Sequence, residues 1–204
     1  MPTATPGDLT EDDRLFNTDG PWELQTKMLW EFLRDYRYVA GFQRAAEVLS
    51  EHAVGHRGDV DALAVPMLFC YRQWIELRLK DLWRDGSRLQ GRSVDPLQTH
   101  NLLVLWRHVR PVIEEAWPEG DAEELDHLRR VLEELAAFDG PRGTGFRYAH
   151  DVDGQASLPS DLQINLRDVR VVMDKVAVLL DGAAEGIAVM LQHEAEMREE
   201  FRDY

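Results

Sequence analysis

Asn165-Leu166-Arg167-Asp168-Val169-Arg170-Val171-Val172-Met173-Asp174-Lys175-Val176-Ala177-Val178-Leu179-Leu180-Asp181-Gly182-Ala183-Ala184-Glu185-Gly186-Ile187-Ala188-Val189-Met190 carries an apolar side chain every three or four residues. Leu166, Val169, Met173, Val176, Leu180, Ala183, Ile187 and Met190 follow this rhythm, which is that of an α-helix with one face in a core. Asn165 is suited to cap its start and Asp168 to the positive end of its dipole, and the helix is expected to reach about Arg202. Gly182 and Gly186 sit four apart inside it, a spacing that close helix packing explains better than a break. Upstream, residues 139–160 hold Gly140, Pro141, Gly143, Gly145 and Gly154 before Pro159, an extended loop or small hairpin. Asp121-Ala122-Glu123-Glu124 has a capping-box pattern and opens a helix to about Phe138.

Further back, His100 to Trp117 reads as a helix kinked at Pro111, and residues 84–99 as a polar connection. Another helix is expected from Asp59, a candidate cap, to about Trp83, with Pro66 a kink or its true first turn. Leu63, Met67, Cys70, Trp74, Leu77 and Trp83 supply its apolar stripe. Gly20-Pro21-Trp22-Glu23 marks the start of a first helix to about Leu49, with Leu29, Phe32, Leu33, Tyr36 and Val39 on one face. Residues 1–18 are acidic and rich in turn formers, a flexible arm. The expectation is an all-α, single-domain bundle of about five helices, with a long loop before the C-terminal one.

The 204 residues, 44% of them hydrophobic, suffice to bury one core. No charge-free apolar run approaches the ~20 residues of a bilayer span. Met1-Pro2-Thr3-Ala4-Thr5-Pro6-Gly7-Asp8 lacks the regions of a signal peptide. The one cysteine, Cys70, cannot form an internal disulfide and reads as a buried thiol in a reducing compartment. A cytoplasmic chain without membrane attachment is expected.

The net charge of −15 argues against binding nucleic acid. Its distribution is uneven. Residues 71–110 carry 8 Lys/Arg against 4 Asp/Glu, whereas residues 111–204 carry 9 against 22. The basic window is either a set of helix-face cations paired with neighbouring acids or a local anion-binding surface.

Several short motifs lead nowhere. Arg57-Gly58-Asp59 is an adhesion tripeptide by spelling only. His52 and His56 have the spacing of a shared metal on one helix face but lack an evident third ligand. Asp151-Val152-Asp153-Gly154 matches the opening of a calcium loop, yet Leu162 stands where the closing Glu belongs. Gly143-Thr144-Gly145 lacks the preceding strand and following Lys of a phosphate-cradling loop. No metal or cofactor is called for.

Tyr71-Arg72-Gln73-Trp74-Ile75-Glu76-Leu77-Arg78-Leu79-Lys80-Asp81-Leu82-Trp83 is more informative. Arg72, Glu76 and Lys80 form one polar row, with Glu76 and Lys80 in the favourable acid-first order. After the connection, Thr99-His100-Asn101-Leu102-Leu103-Val104-Leu105-Trp106 opens the next helix. Together the two segments resemble the HEPN family, helical domains of RNA-cutting toxins and antiviral systems. Many members carry Glu-x-x-x-Lys-x-Leu, a short connection, then His-Asp-Leu-x-x-Leu. Here Glu76, Lys80 and Leu82 precede His100-Asn101-Leu102 and Leu105, with Asn101 in place of Asp. Gly145-Phe146-Arg147-Tyr148-Ala149-His150-Asp151 is similar to a Phe-Arg-Tyr-Pro segment of relatives, with Ala149 in place of Pro. The resemblance covers about residues 60–200, and residues 19–204 are taken as one HEPN-like helical domain.

The resemblance implies a metal-independent endoribonuclease of a toxin or antiviral defence system, working as a homodimer with RNA as substrate and an antitoxin or other partner protein. In that family an Arg, four to six residues, then a His form the catalytic pair. Carried over, Arg147 binds the phosphate and His150 is the base. Arg72, Glu76, Lys80, His100 and Asp151 line the site. The chemistry suits an always-charged bidentate donor and a base titrating near neutrality. The spacing departs from the family: two residues separate Arg147 from His150, seven separate Arg142 from His150, and seven separate Arg92 from His100. The alternatives are a non-catalytic HEPN-like module that binds a partner protein or nucleotide and regulates another component, and a plain helical oligomerisation domain.

Overall fold

A computed structural model describes residues 15–16, 19–26, 34–140 and 142–202. The chain divides into two units, Met1–Arg34 and Asp35–Tyr204. In the first unit Trp22–Leu24 form one 3-10 turn after Pro21, and Gln25 is already extended. The helix expected from Trp22 to about Leu49 is thus broken at Gln25, and from Arg34 onward its described residues are helical. Trp22 and Leu24 are both exposed, and one turn that buries no apolar surface does not propagate. Leu29, Phe32, Leu33 and most of the expected arm lie outside the described residues.

The second unit is an all-α bundle: α1 (Arg34–Gly55), α2 (Val60–Leu89), α3 (Leu102–Ala116), α4 (Ala122–Asp139) and α5 (Leu166–Arg202). No strand occurs among the described residues, and the segment before α5 is the expected long loop. α2 is central, packing against both α3 and α5, while α4 packs on α3. Being covered on two sides, α2 buries more than one stripe: Met67, Tyr71, Trp74, Ile75, Leu79 and Leu82 all lie in the core. Each such large side chain contributes about 1.5–3 kcal/mol on leaving water. α1 buries Val39, Ala46 and Ala53, spaced by seven, while Tyr36 is exposed rather than part of its core face. Gln43 on α1 donates to Asp181 of α5 at 3.1 Å.

The helix starts follow the capping residues. Asn101 accepts from the amides of Leu103 and Val104 at 3.0 and 3.1 Å. Asp121 accepts from Glu123 and Glu124 at 2.8 and 3.4 Å, and Asn165 from Arg167 at 3.0 Å. Asp59 is the exception. It precedes α2 but makes no cap hydrogen bond, its carboxylate lying 2.7 Å from His52 Nε2 instead. Pro66 and Pro111 lie inside α2 and α3, both facing solvent.

α2 also runs past Trp83 to Leu89, through residues the sequence predicts as connection. Gly86 explains the extension. A Cβ there would stand 2.0 Å from Val112 Cγ1, so α2 and α3 touch at a point only glycine allows. In α5, Gly186 does the same beneath Trp117, whose Cζ2 would lie 2.6 Å from an added Cβ. α5 is long and apolar enough, by length and composition, to cross a bilayer, although no such run is expected from the sequence; only 17% of that stretch is buried. Asp181 and Glu185 interrupt it, and Asp181 pairs with Arg78 of α2 at 2.7 Å.

Candidate functional site

Arg72, Glu76 and Lys80 project from one face of α2 at helical spacing, and the structure brings His100 to them from the start of α3. The row is not a solvated face. Arg72 is 0% and Glu76 2% exposed. Glu76 Oε2 accepts from Arg72 Nη1, and Oε1 accepts from Lys80 Nζ at 2.7 Å and meets His100 Nδ1 at 2.8 Å. Arg72 Nε donates to Asp139 Oδ2 at 2.5 Å and Nη2 to the His100 carbonyl at 2.5 Å. Every nitrogen of the guanidinium is engaged. Removing one member of such a buried set leaves an uncompensated charge, at a cost of about 3–5 kcal/mol.

Two features of this network have no local signal in α2. Asp139, at the end of α4, is the second carboxylate on Arg72, 67 residues away. The loop after it folds back over the guanidinium. Thr144 and Gly145 amides both donate to the Asp139 carbonyl, at 3.1 and 3.0 Å. Gly143 adopts φ +68°, and a Cβ on it would stand 2.2 Å from Arg72 Nη2 and 3.2 Å from His100 Cβ. The Gly-rich composition of the loop marks this close approach, although not what is approached.

Burial opposes charge on Glu76, but hydrogen bonds from Lys80, Arg72 and His100 and the Arg72 charge outweigh it and hold the carboxyl below its ordinary value. An ionised carboxylate only accepts, so His100 Nδ1 carries the proton it shares with Glu76. The imidazole is half exposed. On the same helix, burial pushes Tyr71 up to about 12, partly offset by Arg170. Burial also raises the Cys70 thiol, which at neutral pH makes it a poor nucleophile.

The proposed catalytic residues lie elsewhere. Residues 149–157 form a minimal hairpin, closed by a bridge between His150 and Ala156, with Gly154 in its turn at φ +78°. Asp151 Oδ1 holds that turn, accepting from the amides of Asp153 and Gln155 at 2.9 Å each. The His150 side chain is exposed, and His150 and Asp151 line a cleft of about 650 Å3 with Arg142, Tyr148, Asp153 and Ser157. Arg147, Glu76 and Lys80 are not among the described residues lining it. Arg147 instead lies over the Phe69 ring of α2, 5.7 Å from its centroid. The structure therefore joins Arg72, Glu76, Lys80 and His100 in one cluster and His150 and Asp151 in another. Arg147 stands apart from the cleft, and Arg142 is the arginine that shares it with His150.

The basic window resolves into ion pairs. Besides Arg72 and Lys80 on Glu76, Arg78 meets Asp181 and Arg84 meets Asp81 and Asp85. Arg88 meets Asp85, Arg92 meets Glu115, and Arg110 meets Glu114 and Asp126. Seven of the window's eight cations are engaged in this way. His52 and His56 stack at 4.2 Å without forming part of any metal-holding group among the described residues. No family model, curated protein or solved structure matches the chain.

Proposed function

We propose that this chain is a non-catalytic HEPN-like module of a toxin or antiviral defence system, which binds a partner protein and regulates it. The observation that carries the reading is the consumption of the basic window by its own carboxylates. A nuclease needs cations free to meet phosphates. Here Arg72 is buried with all three nitrogens bonded, and five further arginines of the window pair with acids. The excess of carboxylates over residues 111–204 favours a basic protein as partner over a nucleotide.

One observation favours the endoribonuclease reading: Arg142 and His150 share a cleft. Against it, Asp151 and Asp153 outnumber Arg142 in the same cleft, and an excess of carboxylates repels a phosphodiester. The two readings separate in one assay. Purified protein is incubated with total RNA in EDTA, beside Arg142→Ala, Arg147→Ala, His150→Ala and His100→Ala. The expected result is intact RNA throughout, together with co-purification of the chain and the protein encoded beside it when the two are co-expressed. Wild-type cleavage leaving 2′,3′-cyclic ends, lost in His150→Ala and in one arginine variant, overturns the proposal and restores the nuclease.

A further inference from the structure

α5 presents a second periodic stripe, on the side away from the core. Val171, Lys175, Val178, Gly182, Glu185 and Val189 are all exposed, and they alternate by four and three residues, the rhythm of a coiled-coil seam. Val171, Val178 and Val189 are 49%, 76% and 61% exposed, in a helix apolar enough to pass for a membrane span yet little buried. Gly182 adds to the oddity. Gly186 is required by Trp117, but a Cβ on Gly182 would meet no atom within 4 Å. Gly182 and Val178 instead border an open groove that α5 forms with Ile113 and Trp117, which no described residue fills.

The stripe is symmetric about the level of Leu180. Val171 and Val189 lie equally far on either side, as do Lys175 and Glu185, and as do Val178 and Gly182. Two copies of α5 laid antiparallel across a two-fold at this level would match every member. Val171 would meet Val189 of the second copy, Lys175 would meet its Glu185, and Val178 would enter the space above its Gly182. Each contact occurs twice, as a closed two-fold interface demands. The charge pair is available: Arg170 and Arg198 of α5 are already paired with Asp174 and Glu194, whereas neither Lys175 nor Glu185 has an ion pair among the described residues. The stripe from Val171 to Val189 is about 27 Å long at 1.5 Å per residue.

We infer that the outer face of α5 is the dimer interface of this protein, formed with a second copy in antiparallel register about Leu180. The inference stands on α5 alone and not on the partner-binding reading, and it is read by mass rather than by RNA integrity. Light scattering behind size exclusion on the wild type is expected to give twice the 23.5 kDa chain mass. Lys175→Glu and Glu185→Lys should each weaken the dimer by about tenfold or more, since each reversal sets two like-charged pairs face to face. Lys175→Glu/Glu185→Lys restores opposite charges and should restore the dimer, and Gly182→Leu should give monomer. All these positions are exposed, so far-ultraviolet circular dichroism should show unchanged helix content. A monomeric wild type, including one that floats with phosphatidylcholine vesicles, overturns the inference. So does a dimer indifferent to the single reversals, or a double reversal that fails to restore what both singles lose.

Discussion

Protonation of Glu76 removes the anion that Arg72, Lys80 and His100 share. Its carboxylate is buried beneath Lys80, Arg72 and His100, which outweigh desolvation and hold it below its ordinary value of 4.5. A carboxyl depressed by folding stabilises the folded state fully above its unfolded value, and that contribution is lost as pH falls through the lower folded value. Wild-type protein should therefore lose stability steeply on acidification below about pH 4.5, the unfolded value. Glu76→Gln keeps the shape but leaves one anion, Asp139, for the two cations Arg72 and Lys80. It should cost about 3–5 kcal/mol at pH 7 and flatten the acid limb, so that the two proteins converge at low pH. Urea melts of both between pH 3 and 7 measure this. Parallel limbs would mean that Glu76 does not hold the charge the geometry gives it.

At the scale of the element, Gly86 sets how closely α2 and α3 approach. Alanine at a helix-interior glycine gains about 1 kcal/mol in propensity. Against that, its Cβ would lie 2.0 Å from Val112 Cγ1, a stiff β-branched side chain with no room to turn. Overpacking of this kind costs about 1–3 kcal/mol, so Gly86→Ala should be net destabilising. In a Val112→Ala background the same change should become neutral or stabilising, a coupling that a double-mutant cycle of chemical melts reads directly. This contact also explains what could be read from the chain and what could not. Asn101, Asp121 and Asn165 mark helix starts through hydrogen bonds made within two or three residues, and local sequence carries such bonds. Arg84-Asp85-Gly86-Ser87-Arg88 looks like a connection because its helicity depends on a helix made of other residues. The Arg72–Glu76–Lys80 row was visible as a row, and His100 as its neighbour. Its burial was not, because that depends on Asp139 and Gly143, distant in sequence and close only after folding. Only Tyr148 and Ala149 separate Arg147 from His150, but the turn at Thr144–Arg147 sends one to Phe69 and the other into the hairpin.

For the whole molecule the balance is between many weak ion pairs and one large net charge. Several surface pairs, such as Arg44 with Glu51, Arg129 with Glu133 and Arg198 with Glu194, join exposed partners. Each contributes about 0–1 kcal/mol and is screened by salt. The net charge of −15 acts in the opposite sense: it repels itself in the compact state, and salt relieves that repulsion. The buried Arg72–Glu76–Asp139 set is screened far less than either, since water and ions do not reach it. The Debye length falls from about 30 Å at 0.01 M salt to about 8 Å at 0.15 M, short against the spacing of the acidic surface but not against a 3 Å pair. Repulsion should therefore be relieved more than attraction is lost, and the melting temperature at pH 7 should rise by a few degrees between these two salt concentrations. Thermal melts in sodium chloride decide it. A falling melting temperature would show that the surface pairs together outweigh the self-repulsion, and that the acidic face is a network holding the bundle rather than a charged surface left open for a basic partner.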